Sequence, residues 1–372
     1  MAAMARRIPV LGLFFGVFLG AGTGYGQQAA PEAQDTPVDA RALRSLALDL
    51  LGRPPLAAEW QRWRALTRAR LIDELLASPD FWAHWFDEQL YYFLLVNNFR
   101  PEQERLAAVP RDLCEKRLDV REALHRIALS SSFDQRNPGA DTFVTVVLEQ
   151  LAGLDITKNQ RELEIGKRVY EGAPGTFLGA SAQSQADVVR NAIQSHSGAQ
   201  HFLRREHERL TRSKPAAPEL AAWCARFEKD PRCFPEIVRA WLESPAYAAR
   251  LERGAPLENR DFARALYVDL ADRLPSFDES EPMREALDSL ADSGPLRSIT
   301  ARLLLDSGKL KLPLRKDLPD AAAWVRTQFL RLFGREASAA EVAEFVKVLD
   351  EPGARVETVL YALVSSPEYN RC

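Results

Sequence analysis

The chain has 372 residues, 46% of them hydrophobic and 27% charged, which is the balance of a globular polypeptide. Its formal net charge of −3 excludes a nucleic-acid binder that works through bulk charge. A chain of this length can form two or three ordinary domains or one extended array of small units.

Residues 1–26 read as a signal peptide. Arg6 and Arg7 give a positive start, and Ile8 to Phe18 form an apolar run. Gly24-Tyr25-Gly26 supplies small residues for cleavage before Gln27. The run is too short and glycine-rich for a membrane span, and an uncleaved anchor is the second choice. The expected location is periplasmic or secreted, with membrane contact only through an uncleaved N-terminal segment. Residues 27–40 are polar and read as a flexible linker.

The first helical unit with its connector spans 41–133. An apolar helix around Leu46 to Leu51 stops at Gly52, which suits the left-handed position after a helix end, and Pro54 and Pro55 prevent its continuation. A second helix carries Trp60 and Trp63, and a third carries Leu71, Leu75 and Leu76. Ser78 then caps, and Pro79 begins, an aromatic helix through Phe93 and Leu94. Asn97 to Arg111 is a connector.

Middle helical units span 134–255. The β-branched run Val144-Thr145-Val146-Val147 is assigned to a helix that stops at Gly153, and Gly172 to Gly179 to a plain interhelix loop. Leu203 to Lys214 holds five Lys/Arg interleaved with Glu and His, the pattern of a solvated helix face. Cys224 and Cys233 flank the turn at Glu228 to Pro231. In an oxidising compartment they are the pair placed to form a disulfide, with free buried thiols as the alternative.

A further unit spans 256–309, where Asp272-Arg273 takes the place of Gly52-Arg53. A linker, 310–321, leads to the C-terminal unit, 322–372, with Gly334-Arg335 near its start. Three segments share one pattern: Ser78-Pro79-Asp80-Phe81, Ser244-Pro245-Ala246-Tyr247 and Ser366-Pro367-Glu368-Tyr369. Each follows an apolar helix and acts as a stop and a cap, so short helices fold back on one another. One such unit buries little alone and neighbours must stack. The expected fold is all-α, an irregular array of three- to four-helix repeat units without significant sheet.

Two families are resembled. Leu48 to Pro55, Leu75 to Phe81 and Trp85-Phe86-Asp87 resemble an exported planctomycete domain of unknown function that often accompanies cytochrome c modules. Phe329 to Tyr369 is similar to an extracellular bacterial helical repeat with Leu-Gly-Arg near its start and Ser-Pro-Glu-Phe/Tyr at its end, found in surface-layer and adhesin-like proteins. Both resemblances imply helical modules in the cell envelope, and neither implies a reaction. The planctomycete pattern has an Arg where this chain has Leu90 and an acid where it has Phe93, while Trp85, Asp87 and Tyr91 agree with it. No haem-attachment motif is present.

No catalytic constellation stands out, and no catalytic, cofactor-binding or metal-binding residue is nominated. His196, His201 and His207 are spaced by five and six residues and do not share a helical face. The candidate binding surface is Trp82, Trp85, Asp87 and Tyr91 on the aromatic helix, with core packing as the competing account of the aromatics. The Arg residues of the breaks, Arg53, Arg273 and Arg335, are expected to satisfy the carbonyls of their own helix or to reach a carboxylate in a neighbouring unit. The function expected is a non-catalytic exported scaffold or interaction module with an envelope protein partner. The alternative is an enzyme or accessory subunit in extracellular polysaccharide breakdown or an envelope redox pathway.

Overall fold

Helices make up nearly all regular structure in the described residues, 36–94 and 106–371 of this computed structural model. They run α1 (Ala40–Leu51), α2 (Ala57–Trp63), α3 (Arg68–Ala77), α4 (Pro79–Leu94), α5 (Val109–Cys114), α6 (Val120–Ala128), α7 (Ser131–Arg136), α8 (Gly139–Val146), α9 (Gln160–Tyr170), α10 (Gln185–Gln194) and α11 (His196–Thr211). Then come α12 (Ala217–Lys229), α13 (Phe234–Leu242), α14 (Pro245–Arg253), α15 (Asn259–Ala271), α16 (Phe277–Asp288), α17 (Gly294–Asp306), α18 (Ala321–Phe333), α19 (Ala339–Asp350) and α20 (Val356–Val364). The chain is all-α. The signal segment, most of the 27–40 linker and much of the Asn97–Arg111 connector lie outside the described residues, and no described helix is long and apolar enough to cross a membrane.

Helix α1 holds the rest together. Asp39 caps it by accepting from the Ala42 amide at 2.8 Å, and Gly52 ends it at φ 65°. Leu43, Leu46, Ala47 and Leu50 are buried at helical spacing, and the helix packs on α3, α4 and α18. Most apolar side chains from Val38 to Leu251 form one core, and those from Leu257 to Tyr369 form a second, which Leu48 of α1 joins. The units expected from sequence therefore share two cores. Two buried polar residues of α1 face opposite ways. Asp49 accepts from the Tyr247 hydroxyl and from Arg250 Nη2 of α14, each at 2.6 Å. Arg44 reaches Asp269 of α15 and the Arg331 carbonyl of α18.

Three corners are built alike. Gly52, Asp272 and Gly334 are all left-handed, at φ 65°, 52° and 66°, as a helix end of this type requires. The following arginine grips a glutamate six residues on with both guanidinium nitrogens: Arg53 with Glu59 (2.6 and 2.8 Å), Arg273 with Glu279 (2.7 and 2.8 Å) and Arg335 with Glu341 (3.0 and 2.8 Å). Each glutamate also accepts the backbone N–H that begins its own helix, from Leu56, Ser276 or Ser338. Arg53 and Arg335 take a second carboxylate, Asp80 and Glu368, and both belong to Ser-Pro segments. Within those segments Ser78, Ser244 and Ser366 accept from the amides of Phe81, Tyr247 and Tyr369, and the three aromatic rings are buried. Pro79 and Pro245 open α4 and α14, whereas Ser366 and Pro367 begin only a terminal turn.

The bonds from Arg335 and the Ser338 amide hold the Glu341 carboxyl down at about 2. An unfolded glutamate titrates near 4.3. The folded value is the lower one, so this contribution is complete above the unfolded value and is lost as pH falls toward about 2. Denaturation of wild type and Glu341→Gln is expected to differ by a constant amount above about pH 5 and to converge in acid. A difference that does not change with pH would contradict the corner geometry.

Several sequence expectations are corrected. Gly172 to Gly179 is not a plain loop: β1 (Gly175–Phe177) and β2 (Ala180–Ala182) pair antiparallel around Leu178 and Gly179, both at positive φ. Asn191 braces this hairpin by donating to the carbonyls of Phe177, Ala180 and Ser181. The Val144 to Val147 run is helical, as expected, and passes into a π-helical turn, Val147–Leu151, before Gly153. The basic stretch in α11 is not a solvated face, because Glu206, His207 and Thr211 are buried. Cys224 and Cys233 are free thiols. Cys224 points into the core with Leu220 and Phe227, and burial pushes its thiol up to about 11. The 310–321 linker is pinned, since Arg315 donates to the Leu349 carbonyl at 3.0 Å and pairs with Asp350 at 2.6 Å.

Candidate functional site

Helix α4 is apolar around most of its surface, and it buries Phe81, Trp82, Trp85, Phe86, Leu90 and Phe93. Its one polar stripe is His84, Asp87, Glu88 and Tyr91, spaced at i, i+3, i+4 and i+7. A matching stripe on α15, Arg260, Asp261 and Arg264, faces it. Arg264 pairs with Asp87 at 2.5 Å, and Arg260 bonds Glu88 and lies 3.7 Å from Asp87. The Arg260 guanidinium sits 4.9 Å above the Tyr91 ring.

Tyr91 is 44% exposed and separates two clefts. One, of about 180 Å³, is lined by Asp87, Tyr91, Arg264, Phe277 and Arg284 among others. The other, of about 670 Å³, lies between α4, α11 and the turn after it, with Tyr92, Arg205, Arg212, Lys214 and Glu258 in its walls. Beneath it a buried group closes on itself: Gln89 donates to Glu206 at 3.0 Å, and Arg205 and Arg209 pair with the same carboxylate at 3.1 and 3.3 Å. Arg205 also lies 4.1 Å over the Tyr92 ring.

The electrostatics of the two stripes are uneven. Burial, then the charges of Arg209, Arg264 and Arg260, push His84 well below its ordinary value, so its ring is neutral. Burial opposes ionisation of Asp87, but Arg264 and Arg260 outweigh it and hold the carboxyl low. Asp261 goes the other way: burial first, then Glu88, push it up to about 7 despite Arg260 and Arg264. His84, Glu88 and Asp261 offer ligand atoms that all lie within 4.8 Å of one another. That group can hold a proton or a cation.

Of the four residues expected to form a binding surface, the fold brings two to the site. Asp87 and Tyr91 line the smaller cleft. Trp82 and Trp85 are core residues, edge-to-face with each other at 5.9 Å, and Trp85 packs on Phe202 and Phe234. Trp85 is closed to a ligand, whereas Trp82 also borders a separate cleft of about 370 Å³ with Leu113 and Pro235. His84, Glu88, Arg260, Asp261 and Arg264 were missed. Their i, i+4 spacing on two helices was visible, but not that the two helices meet. No protein-family model matches the sequence, no curated protein matches it, and no solved structure matches the fold.

Proposed function

We propose that this chain is a non-catalytic interaction module of the cell envelope, exported through its N-terminal segment, that docks a protein partner. One observation carries the reading. Of the eight large apolar side chains left exposed among the described residues, six lie between Leu274 and Leu314: Leu274, Phe277, Leu290, Ile299, Leu303 and Leu314. They fall in one stretch of sequence, on α16, α17 and the turns beside them, and contiguous exposed apolar side chains mark interaction surfaces. Ile299 and Leu303 are four apart on α17 and share a face. Phe277 continues toward Tyr91 across the smaller cleft, where Tyr and Arg supply the residue types of interface hot spots. The resemblance of the first and last segments to envelope-located helical families agrees with this reading.

The test is affinity capture from the native envelope with wild type and with the pair Ile299→Glu and Leu303→Glu. Both positions are exposed, so the fold should survive the change. The expected result is one partner retained by wild type and lost by the variant. Equal capture by both would sink the proposal. The second reading, an enzyme or accessory subunit, is favoured by the close approach of the Asp261 and Glu88 carboxyls, where burial and Glu88 push Asp261 up toward the range of general acid–base work. Turnover of an envelope glycan that Asp261→Asn abolishes would shift the assignment to it.

A further inference from the structure

We propose that His84, Glu88 and Asp261 bind a divalent cation of the first transition row, Zn²⁺ or Mn²⁺ in character. His84 is only 5% exposed. Its Nδ1 is buried without a hydrogen-bond partner and lies 3.9 Å from Glu88 Oε1. Asp261 Oδ1 is buried and unpartnered as well. Unsatisfied buried polar atoms are costly and uncommon. Here two of them belong to one cluster whose ligand atoms span no more than 4.8 Å. Metal–ligand bonds of about 2.0–2.2 Å put two ligand atoms on one ion roughly 3–4 Å apart, so small side-chain shifts close the set.

The Nδ1 edge of His84 packs against the Gly52 backbone, where a Cβ would come 2.4 Å from Nδ1 and 2.9 Å from Arg264 Nη1, so any side chain at position 52 would displace the ring. Along the two stripes, the carboxylates Asp87, Glu88 and Asp261 face the guanidiniums Arg260 and Arg264. Three carboxylates thus meet two guanidiniums along these stripes. Glu258 lies nearby, and on the other side Arg205 and Arg209 share the single carboxylate of Glu206. A neutral imidazole is the form that ligates a metal. Arg260 bonds Glu88 Oε1, the oxygen 3.9 Å from His84 Nδ1, so an ion would share that oxygen with the guanidinium or draw in Oε2. One imidazole nitrogen and two carboxylate oxygens suit a first-row divalent ion. Ca²⁺ asks for six to eight oxygens, and no thiolate is present for softer ions.

The test uses the full chain, stripped with chelator and titrated calorimetrically with Zn²⁺ and with Mn²⁺, without any partner. One ion per chain is expected, with a thermal midpoint that rises with ion concentration. Asp261→Asn removes a ligand while nearly conserving shape. It is expected to weaken binding by no less than the roughly 10–100-fold that loss of an outer-shell contact costs, with the helical circular dichroism spectrum unchanged. His84→Gln should do the same, and His196→Ala, at the exposed His196–Glu228 pair, should not. Absence of stoichiometric binding, or wild-type affinity in Asp261→Asn, would overturn the site. Should His84→Gln fail to fold, Asp261→Asn decides alone.

Discussion

Replacing Asp269 with alanine is expected to lower the stability of the chain by about 3–5 kcal/mol, the cost of stranding one partner of a buried ion pair. Asp269 accepts from Arg44 at 3.0 and 2.7 Å, one bond to each oxygen. The two side chains are 3% and 2% exposed. Its Oδ2 also accepts from the Tyr369 hydroxyl at 2.8 Å, and Arg44 donates onward to the Arg331 carbonyl at 2.8 Å. One carboxylate therefore ties α1, α15, α18 and the terminal turn. Without it the buried Arg44 loses the carboxylate that takes two of its bonds. The double change Arg44→Met with Asp269→Leu should cost much less, because neither charge is then stranded. Chemical denaturation of the three proteins checks this, and equal losses in the single and double variants would contradict it. The consequence reaches the site, since α15 carries Arg260, Asp261 and Arg264.

Gly334→Ala is the second large effect, at about 2–5 kcal/mol. Gly334 lies at φ 66°, where any side chain costs about 1–2 kcal/mol. A Cβ there would also stand 2.4 Å from the Arg41 Cα. That atom is backbone, and the only relief is to move α1 away from α18, an overpacking cost of about 1–3 kcal/mol. Gly353 is the control. Its φ is 78°, but a Cβ there meets nothing within 4 Å. Gly353→Ala should therefore show the conformational cost alone. Denaturation curves that place the two variants together would show that α1 and α18 do not approach as closely as described.

Much of the fold was legible because its signals are local. Gly52, Asp272 and Gly334 end helices, and Ser78 and Ser244 cap them, because each acts on a backbone group within a few residues. The arginine of each corner, expected to serve its own helix end or a neighbouring unit, instead holds a glutamate six residues on in its own corner. The hairpin at Gly175 to Ala182 was missed because Leu178 and Gly179 carry a turn without the usual Asn-Gly or Asp-Gly cue. Burial of Glu206 was missed for a different reason: a charged α11 reads as solvated until Gln89, Arg205 and Arg209 are brought around its carboxylate. The candidate site was half legible. Asp87 and Tyr91 were singled out on α4, but the aromatic neighbours that drew attention to that helix, Trp82 and Trp85, serve the core. The partners that matter sit far along the chain, Arg260 172 residues from Glu88 and Arg264 177 from Asp87, with Asp261 between them, and no local pattern announces that α15 lies against α4.

The claim that this chain works by docking a partner is tested most directly by site-specific photo-crosslinking in native envelope. A photoreactive residue is placed at Leu303, 67% exposed on α17, and, as control, at Lys158, whose side chain is 80% exposed between α8 and α9. A discrete crosslinked protein from position 303 and none from position 158 is the predicted result. No adduct from 303, or the same adducts from both positions, would contradict it.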